Sequence, residues 1–187
     1  MKKILIDPKI EALLKEHNQG VKLDLGCGAN KNPGFLGIDY RALPGVDIVH
    51  NLEKFPFPLP NECASLAVAS HVVEHLDPHG GKFIEFMNEV WRLLKPDGEF
   101  WIAAPYAGSP GYWQDPTHCN PCSEVTWEYF DPMGPMTGGA YYQIYRPLPW
   151  KIKLNTWHET GNLEAVLIKK RIDKANLVDP SYLAKIK

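Results

Sequence analysis

The sequence predicts an α/β fold: a doubly wound, mostly parallel sheet with helices on both faces, finishing in an antiparallel hairpin. Three observations carry that prediction. Between residues 21 and 104, short apolar runs alternate with helical or turn-rich stretches over short connections, the pattern of parallel strands and their crossovers. The first run, Val21 to Leu25, leads directly into a glycine loop, Gly26-Cys27-Gly28. Towards the C-terminus two further runs flank Glu159-Thr160-Gly161-Asn162, a hairpin signal.

The elements follow in order. Pro8, then Ile10, Leu13 and Leu14 on one face, with Gly20 beyond, read as a helix over 8–17. Residues 21–25 form the first strand. A short helix or loop is expected over 29–34, weakened by Pro33-Gly34. The second strand is 35–39 and ends in Asp39; the third is 47–50. Alternate prolines from Phe55 to Pro60 exclude both helix and ladder, so this stretch is extended loop. Ser65 to Ser70 is a continuous apolar run, as in a strand buried on both faces. Phe83, Phe86, Met87, Val90, Trp91 and Leu94 share a stripe at helical spacing, giving a helix over 80–94 that the turn Lys95-Pro96-Asp97-Gly98 ends. Glu99 to Ala104 is the next strand. Beyond it, residues 105–140 hold prolines, glycines and aromatics without a period, except for a short helix from Ser123, its N-cap, to Phe130. Tyr145 to Trp157 and Leu163 to Arg171 read as the hairpin strands, and the last fifteen residues as a loose tail or partner contact. The prediction is one domain over 1–187, with 105–140 inserted as a substrate or lid segment.

Composition excludes several function classes. A chain of 187 residues can bury a real core, and 44% apolar with 22% charged residues is ordinary for a globular protein. A net charge of −2 offers no electrostatic grip on nucleic acid or anionic lipid. No apolar run approaches the roughly 20 residues that span a membrane. Asp7 and Pro8 come too early for a signal peptide. Four cysteines do not make a disulfide framework in a chain this long. The expected setting is cytoplasmic, with no membrane and no nucleic acid as partner, and a monomer or homodimer.

The glycine loop and the acid that follows point to a nucleotide-like ligand. A dinucleotide site wants a third glycine, where this chain has Lys31, and an acid roughly 20 residues on. Asp39 comes earlier than that, and no Gly-Lys-Ser/Thr phosphate loop is present. The remaining pattern suits a ligand that carries an adenosine but places no phosphate at the glycine turn, of which S-adenosylmethionine is an example.

Five segments, in order, resemble the motifs of class I S-adenosylmethionine-dependent methyltransferases of the small-molecule, type 11-like branch. They are Leu23-Asp24-Leu25-Gly26-Cys27-Gly28, Gly37-Ile38-Asp39, Asn51-Leu52-Glu53, Ala69-Ser70-His71-Val72-Val73-Glu74-His75-Leu76, and the run from Val90 to Phe100. Many relatives have Asp where Asn51 stands. The resemblance implies a Rossmann-like fold, a transferase with S-adenosyl-L-methionine as cofactor and S-adenosyl-L-homocysteine as product. It also implies residue roles. Gly26 and Gly28 let the backbone approach the methionine part, with Cys27 as small loop filler between them. Asp24 orients that loop or the ammonium group. Asp39 accepts the ribose hydroxyls, Tyr40 lies against adenine, and Asn51 and Leu52 read its edge. Ser70 and His71 end the fourth strand beside the methyl group, with His75 close by.

The acceptor is narrowed by exclusion. Enzymes that methylate amino groups of nucleic-acid bases usually show Asp/Asn-Pro-Pro-Tyr/Phe in the fourth motif, where this chain has Ser70-His71-Val72-Val73. A small-molecule, sugar or lipid-like acceptor is therefore expected. The aromatic-rich segment 105–140 is the candidate wall of its pocket. Within it, Asp115 and His118 could hold an imidazole as a general base, so His71, Asp115 and His118 are the candidate catalytic residues. His118, Cys119 and Cys122 could supply three zinc ligands, with His71, His75 or His79 as a fourth, but a single Cys-x-x-Cys is a weak signal, and no metal is expected. The alternative is a non-catalytic S-adenosylmethionine-binding module that regulates a partner.

Overall fold

A computed structural model describes residue 6, residues 8–15 and residues 20–171. Positions 16 and 17 of the expected first helix, and the expected C-terminal tail beyond residue 171, lie outside the described residues. Seven strands form one sheet in the order β3-β2-β1-β4-β5-β7-β6. They are β1 (Val21–Leu25), β2 (Leu36–Asp39), β3 (Ile48–Val49), β4 (Ala64–Ser70), β5 (Leu94–Pro105), β6 (Trp150–Trp157) and β7 (Asn162–Lys169). Strands β3 to β5 are parallel, with Leu23 beside Leu36 on one side and Ala67 on the other. Strand β7 runs antiparallel between β5 and β6. The order reverses between β1 and β4, and there a crevice opens at the carboxyl ends of the strands.

The expected doubly wound sheet and terminal hairpin are both present. The crossovers are barer than strand–helix alternation suggests. Among the described residues, α2 (Lys82–Leu93) is the long helix joining two parallel strands, and β1–β2, β2–β3 and β3–β4 are linked by loops. Pro33-Gly34, Pro44-Gly45 and the prolines of 56–60 account for this, since each interrupts a helix before it can nucleate. The last of these runs is pinned to α2. Phe57 and Leu59 are wholly buried. The Phe57 N–H donates to Glu89 Oε1 at 2.6 Å, and Arg92 donates to the Leu59 carbonyl at 2.9 Å.

Four features differ from the sequence reading. Leu94 opens β5 instead of closing the helical stripe, and it is buried in the core beside Leu93, the last residue of the helix. Residues 95–98 do not separate helix from strand. They bulge within β5, so that Ala64 pairs with Leu94 while Leu66 pairs with Glu99, and Asp97 takes a left-handed φ of 63°. The hairpin strand expected from Tyr145 starts at Trp150, because 142–145 closes a helical turn, α5 (Tyr142–Tyr145), which Arg146 ends at φ 47°. The third strand shrinks from 47–50 to Ile48–Val49.

The segment after β5 holds α3 (Pro110–Trp113) and α4 (Glu124–Glu128) as well as α5. Ser123 precedes α4 as expected, its N–H donating to Thr126 Oγ1 at 2.9 Å. Trp127 and Phe130 are buried in the main core, where Phe130 meets Phe83 edge-on. Wholly buried Glu128 accepts from the Thr137 N–H and hydroxyl at 3.1 and 2.9 Å. Burial of Trp127 and Phe130 anchors the segment on the core, and the Cys119 and Asn120 N–H groups, donating to the Glu74 carbonyl at 2.9 and 3.0 Å, bring residues 115–118 beside the end of β4.

Candidate functional site

A cavity of about 510 Å³ lies at the switch point, lined by Gly26, Asp39, Tyr40, Arg41, Asn51, Leu52, Glu53, His71, Val72, His75, Leu76 and Thr117. Most of these residues directly follow the carboxyl end of a strand: β1, β2, β3 or β4. The size is ordinary for a small-molecule site.

The loop after β1 is built around two carboxylates. Asp24, nearly buried on β1, accepts from the Asn32 N–H at 2.7 Å and from Asn32 Nδ2 at 2.9 Å, which folds the loop back on the strand. Gly26 takes φ 71°, and a Cβ placed there would fall 2.5 Å from Val72 Cγ2, so only glycine fits beneath the cavity. The Gly28 N–H donates to Asp39 Oδ2 at 2.9 Å. Asp39 Oδ1 accepts from the Arg41 N–H at 2.9 Å and from Arg41 Nε at 3.3 Å. Burial alone would raise the Asp39 pKa, but the Arg41 and Gly28 amides and the Arg41 guanidinium outweigh it and hold the carboxyl below its ordinary 3.8.

That depression has a stability consequence with a definite sign. A carboxylate whose folded pKa lies below its unfolded value stabilises the fold above the unfolded value, and the contribution is lost as pH falls through the folded value. An Asp39→Asn variant should therefore unfold more easily than wild type at pH 7, with the gap closing under acid below about pH 4. Thermal melts of both proteins across pH 3–8 check this.

The predicted residues divide by position. Gly26, Asp39, Tyr40, Asn51, Leu52, His71 and His75 line the cavity; Asp24, Cys27, Gly28, Ser70, Asp115 and His118 do not. Asp24 and Gly28 act on the loop instead, through the bonds just given. Cys27 turns towards the backbone of β2: a Cβ on Gly37 would fall 2.7 Å from its Sγ. Burial, then the nearby Asp24, Asp39 and Asp47, push the Cys27 thiol up to about 11, so it stays protonated. Asn51 Oδ1 accepts the Glu53 N–H at 2.8 Å, an Asx turn that shapes the segment after β3. His71 holds a left-handed φ of 55°, uncommon away from glycine and a mark of a constrained site residue.

The Asp115–His118 pair is arranged otherwise than the sequence suggests. His118 Nδ1 lies 2.7 Å from the Tyr112 carbonyl, and that carbonyl fixes the tautomer. Asp115 Oδ2 stands 3.8 Å from His118 Nε2, beyond hydrogen-bond reach, while Asp115 Oδ1 holds the Thr117 N–H and hydroxyl. Sequence reasoning missed Arg41 and Thr117, and gave no individual role to Glu53, Val72 and Leu76, which lie inside its motif segments. A basic residue two places beyond the strand-end acid was the available signal for Arg41. The apolar pair at 72 and 76 brackets a 3₁₀ turn, Val73–His75, that has no sequence signature.

Known proteins bear on this site at the level of domain and fold. A family model described as a methyltransferase domain matches residues 40–102, about a third of the chain. A methyltransferase from Archaeoglobus fulgidus, described as dependent on S-adenosylmethionine, shares the fold with a TM-score of 0.56 at 17% identity, over 86% of this chain and 93% of that one. The YcgJ protein of Bacillus subtilis superposes with a TM-score of 0.51 at 17% identity, over 88% and 99% of the two chains. A 16S rRNA (adenine(1408)-N(1))-methyltransferase of Catenulisporales acidiphilia, crystallised with S-adenosylmethionine, does so with 0.53 at 13% identity, over 90% and 94%. A comparison with curated proteins finds no match. The matched segment and the fold agree: a stretch of the chain matches a methyltransferase domain, and the whole takes the fold that these solved methyltransferases share. The glycine loop and Asp39 precede the matched segment, so their assignment rests on the geometry above. No described helix is long and apolar enough to cross a membrane.

Proposed function

We propose that the cavity at the switch point holds the cofactor and that the chain transfers its methyl group to a small-molecule, sugar or lipid-like acceptor. The observation that carries the proposal is the cavity itself, with a nearly buried carboxylate, Asp39, at one strand end and a glycine cradle that a Cβ would fill at the next. The donor set fits the cofactor. Asp39 keeps one free lone pair, on Oδ2, and a second opens on Oδ1 when the half-exposed Arg41 side chain releases its 3.3 Å contact, so the two could accept ribose hydroxyls in charge-assisted bonds. Tyr40 and Leu52 offer apolar surface to adenine, with the Asn51–Glu53 turn at its edge. Gly26 leaves room for the methionine part. When bound, S-adenosylmethionine supplies an electrophilic methyl group; the protein aligns the acceptor with it and excludes water.

The His71, His75 and Thr117 end of the cavity is the proposed acceptor side. Segment 105–140 is the proposed lid, since Thr117 brings it to the cavity wall. A net charge of −2 favours a small acceptor over RNA. Incubation with methyl-labelled cofactor should label small hydroxyl or amine acceptors and leave total RNA unlabelled. Labelled RNA would reverse the acceptor class. Cofactor binding without turnover on any acceptor would favour the non-catalytic module.

A further inference from the structure

Behind the acceptor side stands a cluster that the cofactor does not need. Glu74 is wholly buried, and among the described residues neither of its carboxylate oxygens has a hydrogen-bond partner. An unpaired buried carboxylate costs several kcal/mol, so such a group implies a cation or a proton. Three imidazoles surround it. His71 Nδ1 lies 3.4 Å from Glu74 Oε1. One ligating atom from each of Glu74, His75 and His118 lies within 4.8 Å of the other two. The His75 and His118 rings meet edge-on at 4.7 Å.

The outer bonds of these rings leave their Nε2 atoms as acceptors. His118 Nδ1 faces the Tyr112 carbonyl at 2.7 Å and so carries the proton, leaving a lone pair on Nε2. His75 Nδ1 lies 3.0 Å from Thr117 Oγ1, whose own hydroxyl proton is given to Asp115 Oδ1 at 2.7 Å. His75 therefore donates from Nδ1 as well and also keeps its Nε2 lone pair. Ligating histidines show this habit: the far nitrogen is tied to a carbonyl or a carboxylate-backed group, which sets the tautomer and aims the near one. The frame is built as well. The Cys119 and Asn120 N–H groups donate to the Glu74 carbonyl at 2.9 and 3.0 Å, and Asn120 Nδ2 donates to the Val73 carbonyl at 2.9 Å. These bonds lock the two chain segments that carry the candidate ligands.

We propose that Glu74, His75 and His118, with His71 at the cavity edge, bind a divalent transition-metal ion. Imidazoles with one carboxylate suit zinc, cobalt or iron better than magnesium or calcium. The cysteines are not part of the set: buried Cys122 points its Sγ at the Asn120 carbonyl, 3.6 Å away. The ion adjoins His71, His75 and Thr117 on the acceptor side, which deepens the methyl-transfer reading and rests on it for its role. An acceptor hydroxyl completing the coordination loses its proton to solvent more readily. Its oxygen then forms the bond to the methyl carbon as the carbon–sulfur bond breaks, the electron pair leaving on sulfur. The acceptor class is then an alcohol or phenol.

The test uses untagged, chelator-stripped protein titrated with Zn2+ by calorimetry and with Co2+ by visible absorption. Wild type should bind one ion per chain and show the intensified bands of low-coordinate cobalt. Glu74→Gln and His118→Ala should weaken Zn2+ by at least about 100-fold, beyond what loss of an outer partner costs. Thr117→Val, an exposed change, should weaken it by about 10-fold through His75 alone. Neither Glu74 nor His118 lines the cofactor cavity, so S-adenosylhomocysteine binding by those two variants reports whether the fold is intact. No ion bound by wild type, or equal Zn2+ affinity in both ligand variants, overturns the site. Metal binding without homocysteine-ligand binding would leave the site standing and remove the methyl-transfer reading instead.

Discussion

Replacing Asp39 with alanine should weaken S-adenosylhomocysteine binding by at least about 100-fold, the equivalent of losing two charge-assisted bonds. Two effects add. The carboxylate is the proposed acceptor for both ribose hydroxyls. It also ties the Gly28 amide, from the loop after β1, to the Arg41 amide, from the loop after β2. Removing it takes the partner from two backbone N–H groups and loosens the walls of the cavity on either side. The ligand-free fold should lose about 2–4 kcal/mol as well, since hydrogen bonds to a charged acceptor contribute about 1.5–3 kcal/mol each and water recovers part of that. Asp39→Asn separates the two effects. It is isosteric and keeps an acceptor oxygen, so stability should recover more than affinity. Calorimetry for the ligand and thermal melts for the fold measure both.

Gly26→Ala should have the second large effect. At φ 71° an alanine costs about 1–2 kcal/mol from the backbone alone. Its Cβ would also meet Val72 Cγ2 at 2.5 Å, closer than real contacts allow, with Val72 Cγ1 at 3.3 Å. Val72 is itself nearly buried and sits one residue after strained His71, so it has little room to yield. Either the 3₁₀ turn at Val73–His75 shifts or the glycine loop swings away from the cavity. Both outcomes displace cavity-lining residues, so ligand affinity should fall further than stability does. A Gly34→Ala control has nothing within 4 Å of the new Cβ and a comparable φ of 78°, and should cost only the backbone strain. Paired melts and ligand titrations of the two variants distinguish contact from strain.

Much of this was legible in the chain because strand ends carry local signals. The order of strands, the glycine loop after β1 and the acid at the end of β2 each follow from short-range patterns of hydrophobicity and glycine. They place Gly26 and Asp39 on a common cavity without any long-range information. What was not legible depends on contacts between distant segments. Tyr112, not Asp115, orients His118, because the loop folds the ring back under its own carbonyl. Thr117 reaches His75, 42 positions earlier, through the anchoring of Cys119 and Asn120 on the Glu74 carbonyl. Glu74 itself reads, with His75, only as a support for the loop after the fourth strand. Its complete burial appears only once the segment after β5 covers it. The bulge at 95–98 is a similar case. Lys95-Pro96-Asp97-Gly98 has the composition of a turn and makes one, but strand pairing resumes on both sides, so the strand absorbs it.

The most direct measurement is calorimetric titration of the wild-type chain with S-adenosylhomocysteine. The cavity, its glycine cradle and its buried carboxylate predict saturable binding of one ligand per chain, displaced by S-adenosylmethionine and lost in Asp39→Ala. Absence of binding at millimolar ligand, or undiminished affinity in Asp39→Ala, would contradict the assignment of the cavity.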